Sequence, residues 1–107
     1  MFTSMSDVMK ANAALGHNWF SKGAMEFFDS RIESVFYPKT GDDKIVGYFV
    51  HSRQFHGSDG TSAPRTFHVA GVAPNGSVNP GGEAFSPFPD GYADLASALL
   101  RINQLLQ

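Results

Sequence analysis

Two runs of β-branched and aromatic residues, Lys44-Ile-Val-Gly-Tyr-Phe-Val-His-Ser-Arg-Gln-Phe55 and Arg65-Thr-Phe-His-Val-Ala70, flank a polar connection, Gly57-Ser-Asp-Gly-Thr-Ser-Ala-Pro64. Runs of this composition between turn signals read as strands, and the second is the natural antiparallel partner of the first. Alternation puts Tyr48, Val50, Ser52 and Gln54 on one side of the first strand and Phe49, His51, Arg53 and Phe55 on the other. In the second strand Phe67 and Val69 oppose Thr66, His68 and Ala70. Neither face is purely apolar. The connection is longer than a two-residue turn, its glycines permit backbone angles that other residues resist, and Pro64 biases Ala63 toward an extended conformation.

The rest of the chain supplies cover for such a hairpin. Over Ser4 to Leu15, Met5, Val8, Ala11 and Leu15 recur at helical spacing with Met9 beside them, while Asn12 interrupts the stripe. Ser4 and Asp7 suit the start of that helix and Gly16 suits its end. Ser21 is an N-cap for a second helix, Lys22 to Ser30, expected to bury Met25 and Phe28 with Phe27 beside them. His17 and Trp19 stand at the junction between the helices, where a pocket or simple backbone pairing can use them. The alternation in Arg31-Ile-Glu-Ser-Val-Phe-Tyr37 reads as a first strand, followed by a turn over 38–43. Asn75-Gly76 is a strong turn signal that allows a fourth, edge strand. Asn79 to Pro89 reads as an irregular crossing anchored by Phe85 and Phe88. Asp90 is the expected N-cap of a last helix from Gly91 to about Leu106, with Tyr92, Leu95, Ala96, Leu99, Ile102 and Leu106 at helical spacing and Asp94, Arg101 and Asn103 on a wetter side. Leu100 and Leu105 widen its apolar surface, which serves either a second packing layer or a homodimer contact.

The expected architecture is α+β, a single globular domain over 1–107, with an antiparallel sheet of three to four strands covered by two N-terminal helices and one C-terminal helix. A chain of 107 residues suffices for one core without a disulfide or metal. A formal net charge of −2 with no long basic run lacks the electrostatic footprint of a general nucleic-acid binder. The absence of cysteine excludes disulfides, thiolate catalysis and Cys-ligated zinc. The start MFTSMSDVMKANAAL has no apolar signal region, and no segment reaches the roughly 20 apolar residues of a membrane span. A soluble, cytoplasmic protein without membrane contact is the expectation.

The connection and its borders hold the densest set of chemically capable side chains, and Arg53, Phe55, His56, Ser58, Asp59 and Arg65 are the candidate binding residues. The leading reading is an accessory or interaction protein that binds a macromolecular partner, most simply another protein, through the 53–65 loop. The alternative is a nucleic-acid or nucleotide-phosphate binder. There Arg53 and Arg65 frame the Gly57–Gly60 backbone, and Tyr48, Phe49, Phe55 and Phe67 offer stacking surfaces. A small hydrolase ranks below both. Its triad would be Ser58, His56 and Asp59, which are too close in sequence and lack a nucleophile elbow; Asp59 suits capping of its own loop better. His51, His68 and His56 admit a three-nitrogen metal site, but the spacing is not diagnostic. No catalytic residue, metal ligand or cofactor is assigned from the sequence.

Three blocks of sequence occur in a familiar order: Ala11-Asn-Ala-Ala-Leu-Gly-His-Asn-Trp-Phe-Ser21, Met25-Glu-Phe-Phe-Asp-Ser-Arg31, and Gln54-Phe-His-Gly-Ser-Asp-Gly60 with Pro64-Arg65. Across residues 8–70 the chain resembles small uncharacterised proteins of phages, prophages and bacterial mobile DNA, in which a helical half precedes a strand half. The matching positions are His17, Phe20, Phe28, Arg31, Phe55, Gly57, Ser58, Pro64 and Arg65. The resemblance implies a phage or mobile-element origin and no particular activity. After Val69 the chain departs from it: Ala70-Gly-Val-Ala73 replaces the group's run of basic residues.

Overall fold

The computed structural model describes residues 2–79 and 91–107. Along the chain run α1 (Met5–Ala14), α2 (Lys22–Phe27), β1 (Arg31–Ile32), β2 (Tyr37–Pro38), β3 (Gly47–Arg53), β4 (Thr66–Val72), β5 (Val78–Asn79) and α3 (Leu95–Leu106). All the strand pairings are antiparallel. β1 and β2 both pair with β3, β3 with β4 and β4 with β5, so five strand segments fill four positions of one sheet. The fold is α+β, an antiparallel sheet with three helices.

The β3–β4 hairpin is the centre of the molecule. Its register runs without interruption from Gly47 opposite Val72 to Arg53 opposite Thr66. β3 is buried from Gly47 to Ser52 and β4 from His68 to Val72, on both faces. Cover on both faces accounts for the apolar residues on both sides of each strand, Tyr48, Val50 and Val69 on one and Phe49, Ala70 and Val72 on the other. Tyr48, Val50 and Val69 pack against Ala98 and Ile102 of α3. Phe49, Ala70 and Val72 pack on the other side with Val8 of α1, Phe36, Trp19 and Phe20. Area removed from water at these positions is the main stabilising term, since a fully buried Val, Ile or Phe contributes about 1.5–3 kcal/mol.

The first strand is broken where the sequence pattern suggested continuity. Ile32 faces His51 and Tyr37 faces Tyr48, so residues 33–36 stand opposite only 49 and 50. Two extra residues leave the ladder. The amide of Val50 donates to Ser34 Oγ at 2.8 Å, and the Val50 carbonyl accepts from the Glu33 amide at 2.8 Å. The bulge therefore orphans neither polar group of this buried residue. Two inserted residues preserve side-chain parity where one would reverse it, and Ile32 and Phe36 still share the second core. Phe36 reaches under Gly47, where an added Cβ would lie 2.2 Å from the ring.

Helix α1 starts as its sequence indicates, with Ser4 Oγ accepting from the Asp7 amide at 3.2 Å, and Gly16 follows it at φ 81. Asn12, which looks like a flaw in the apolar stripe, is 1% exposed. Its Nδ2 donates to the Gly76 carbonyl at 3.0 Å, so it ties α1 to the β4–β5 turn. Gly76 has φ 94, and a Cβ there would meet Ala11 Cβ at 2.5 Å, so both conformation and space require glycine. α2 stops at Phe27 rather than Ser30 and buries no residue, and Phe28 is 48% exposed. The expected burial of Phe28 is thus corrected: Trp19 and Phe20 fill the space beside Phe49.

At the other end, α3 begins at Leu95. Asp94 is its N-cap, with Oδ1 accepting from the Ser97 amide at 2.7 Å. Tyr92 cannot belong to it, because Tyr92 and Phe67 exchange backbone hydrogen bonds of 2.7 and 2.9 Å across the edge of β4. Ala98 and Ile102 are the buried residues of α3, and Ala96, placed on the buried stripe by the sequence reading, faces solvent. The expected cap Asp90 and anchors Phe85 and Phe88 lie outside the described residues. Lys39 Nζ donates to the Leu105 carbonyl at 2.7 Å, placing a cation on the negative end of α3.

Candidate functional site

Beyond Arg53 the hairpin opens into the loop that the sequence singled out. Its own bonds order it: Gly57 donates to the Thr61 carbonyl at 2.7 Å, Ala63 to Phe55 at 3.0 Å, and Gln54 Nε2 to Ala63 at 2.9 Å. Asp59 Oδ1 accepts from the Thr61 hydroxyl at 2.6 Å and amide at 3.0 Å. These two bonds hold the Asp59 carboxyl below its usual range. Asp59 is a turn cap, and its oxygen is engaged inside the loop. Ser58 is exposed and makes no hydrogen bond among the described residues.

Arg65 turns inward. Only 14% of its side chain is exposed. Nη1 donates to the Asp29 carbonyl and to Ser52 Oγ, each at 2.9 Å, and Nη2 lies 3.0 Å from Asp29 Oδ2. Asp29 is held at φ 46, a left-handed conformation found at no other described residue except glycines. His56 completes the group, with Nε2 2.8 Å from Asp29 Oδ2 and Nδ1 2.8 Å from Ser62 Oγ. A carboxylate only accepts, so the proton sits on Nε2, and in the neutral ring Nδ1 accepts from Ser62. The bonds to His56 and then Arg65 hold the Asp29 carboxyl below its ordinary value.

The hydroxyl–imidazole–carboxylate order in which Ser62, His56 and Asp29 stand is that of an acyl-transfer triad. The sequence reading had Ser58 and Asp59 in those roles, and the structure brings neither to His56. Neither Ser62 nor Asp29 lines the neighbouring groove, where a substrate would lie. Oδ2 of Asp29 is shared with Arg65 as well. The array works as a latch, fastening the loop to the α2–β1 junction across 27 residues of sequence.

The groove itself has a volume of about 580 Å³. Phe27, Phe28 and Phe55 form its apolar walls, with Arg53, His56 and Pro64 beside them. Phe27 is 82% and Phe55 75% exposed, a concentration of aromatic surface that soluble domains seldom leave without a use. Arg53 makes no ion pair among the described residues.

Phe28 and Arg53 also border a second, smaller cavity of about 210 Å³, where Trp19, Met25, Ser30 and His51 join them. His51 is 2% exposed, and neither ring nitrogen has a hydrogen-bond partner among the described residues. The Trp19 ring meets His51 edge-on at 4.9 Å and the His68 ring stacks on it at 5.2 Å. Burial, then the His68 and Arg53 charges, push His51 down to about 3. Burial and then Arg53 push His68 down to about 4, and its Nε2 pairs with Thr66 Oγ1 at 2.8 Å. Both rings are neutral at ordinary pH. His56 points instead to Asp29 and Ser62, apart from this pair, and no group of three or more metal-ligating side chains gathers among the described residues.

Of the six residues chosen from the sequence, Arg53, Phe55 and His56 line the groove, Arg65 and Asp59 are held within the fold, and Ser58 stands apart. Sequence reasoning missed Phe27 and Phe28 as site walls, Asp29 and Ser62 as partners of His56, and His51 as a cavity residue. A legible signal existed for the first two, since a helix of this length cannot bury two successive phenylalanines.

Fold and site define a small α+β domain with an aromatic-walled groove at the open end of its central hairpin. The chain belongs to a family of unknown function, DUF7447, whose model matches residues 4–68. That match spans α1 to the first half of β4 and includes the latch and the groove. No curated protein matches the chain, and no solved structure does. No helix among the described residues is long and apolar enough to cross a membrane.

Proposed function

We propose that this chain is a small accessory protein that binds a protein partner through the groove beside the 53–65 loop. One observation carries the reading: Phe27, Phe28 and Phe55 expose their rings around a single groove whose polar members include Arg53, which makes no ion pair among the described residues. Rigid aromatic walls beside a guanidinium suit an extended segment that offers an apolar anchor next to an aspartate or glutamate. The latch among Asp29, His56, Ser62 and Arg65 supports this by holding the loop in a fixed shape, which lowers the ordering cost of binding. A nucleic-acid partner is the weaker reading, because Arg65 is spent inside the fold and the formal net charge is −2. The order of sequence blocks leads us to place the protein among phage-derived accessory proteins, acting in the cytoplasm as a soluble monomer or homodimer.

Peptide-display selection on wild type and on the exposed double variant Phe27→Ser, Phe55→Ser tests the proposal. Wild type should enrich peptides with an aromatic or aliphatic residue beside an acidic one, and the variant should enrich none. Selection of no common peptide, together with binding of single-stranded oligonucleotides that weakens steeply with salt, would overturn it.

A further inference from the structure

We infer that the cavity between α2 and β3 is a binding site for a small aromatic carboxylic acid, held by Arg53 and His51. This goes beyond the proposed protein-binding groove, with which the cavity shares Phe28 and Arg53.

Three features carry the inference. First, the cavity reaches a polar group that the fold leaves unsatisfied: the His51 ring lines it, is 2% exposed, and has no hydrogen-bond partner on either nitrogen among the described residues. Buried polar atoms are almost always paired in native proteins, so two unpaired nitrogens on a ring that lines a cavity call for an occupant. Second, Arg53 lies two residues further along the same strand and on the same face, about 7 Å away by strand geometry. It lines the same cavity and makes no ion pair among the described residues. A carboxylate placed there takes charge and one hydrogen bond from the guanidinium and a second from the N–H of a neutral imidazole. Third, Trp19, Ala24, Met25 and Phe28 give the cavity an apolar, largely aromatic side suited to a flat ring, with Asn18 and Ser30 as its other polar members.

Size narrows the class. The volume of about 210 Å³ lies below the roughly 300 Å³ at which drug-sized sites begin, and equals the liquid share of about seven waters. A single aromatic ring with a carboxyl group fits, and a nucleotide does not. Charge decides against a neutral or cationic ligand, because Arg53 is the one charged residue of the lining. Water alone is the competing occupant, and it would confer no preference for carboxylates.

The chain has one tryptophan, Trp19, and it lines the cavity, so its fluorescence reads occupancy directly. Titration with benzoate should change Trp19 emission saturably with a Kd on the order of 1 mM or tighter. Benzyl alcohol, with the same ring and no charge, should bind at least about tenfold more weakly, as expected when a charge-assisted bond is lost. Arg53→Gln should abolish that preference while melting like wild type, and Ala24→Leu, which fills the cavity from α2, should block both ligands. Benzoate should also move the ring nitrogen resonances of His51 and leave those of His56 in place. No saturable change up to about 10 mM benzoate, equal binding of benzyl alcohol, or undiminished benzoate affinity in Arg53→Gln would each overturn the inference. The peptide-display variant changes Phe27 and Phe55, neither of which lines this cavity, so its result and the benzoate titration are read separately.

Discussion

Replacing Arg65 by methionine should unfold the protein far more readily than the same change at Arg53, although both arginines border the same loop. Methionine keeps much of the aliphatic stem and removes the guanidinium. At Arg65 the change deletes the bonds to the Asp29 carbonyl and to Ser52 Oγ, each 2.9 Å long, and leaves the fully buried Ser52 hydroxyl without that partner. A hydrogen bond with an ionised donor contributes about 1.5–3 kcal/mol. The ion pair to the Asp29 carboxylate adds little, because that group is 34% exposed and solvent screens it. Two such bonds, reduced for what methionine regains by packing, give about 3 kcal/mol. For a domain of this size 1 kcal/mol moves Tm by roughly 4–8 °C, so Arg65→Met should lower Tm by at least about 10 °C. Arg53 has no ion pair to lose among the described residues, and Arg53→Met should stay within about 0.5 kcal/mol of wild type, as surface substitutions do. Thermal unfolding followed by far-ultraviolet circular dichroism, with urea titration followed by Trp19 emission, measures both variants. Equal stability of the two would refute the division of the arginines into one that builds the loop and one that only lines the groove.

Two further outcomes follow from the core. His51 and His68 are held at about 3 and about 4 in the fold against 6.5 when unfolded. The unfolded chain therefore binds protons that the native state refuses, and the stability conferred by neutral burial is fully present above pH 6.5 and declines as pH falls toward 4. Each histidine contributes up to about 1.4 kcal/mol per pH unit, so urea denaturation at pH 5 should show a loss of several kcal/mol relative to pH 7; a flat profile over this window would contradict their burial as neutral rings. Gly47→Ala should cost about 1–3 kcal/mol through overpacking. Phe36→Leu should rescue it only in part, because the Tyr37 carbonyl, 2.6 Å from the added Cβ, is backbone and cannot rotate away; a Gly47→Ala protein that melts like wild type would show that the β2–β3 contact is loose.

The local elements were legible in the sequence because they rest on short-range physics. The alternation in β3 and β4, Ser4 as the cap of α1 and the Asn75-Gly76 turn all depend on a residue and its near neighbours, and all appear as read. So does the role of Asp59, whose carboxylate reaches only two residues along the chain. The alternation in 31–37 looked equally regular, yet a two-residue bulge breaks it, since that bulge preserves the parity on which the reading relied. What tertiary structure alone decided concerns groups far apart in the chain. Asn12 became a buried anchor because Gly76 lies 64 residues away, and Arg65 became structural because Asp29 lies 36 away. Phe28 was free to wall a groove because Trp19 and Phe20 had taken the space over Phe49. The sequence by itself determined roughly where helix and strand form and which loop holds the densest set of polar side chains. Only the packed fold decided which of that loop's side chains are spent within the protein and which line the groove, because such pairing depends on distances that no local pattern encodes.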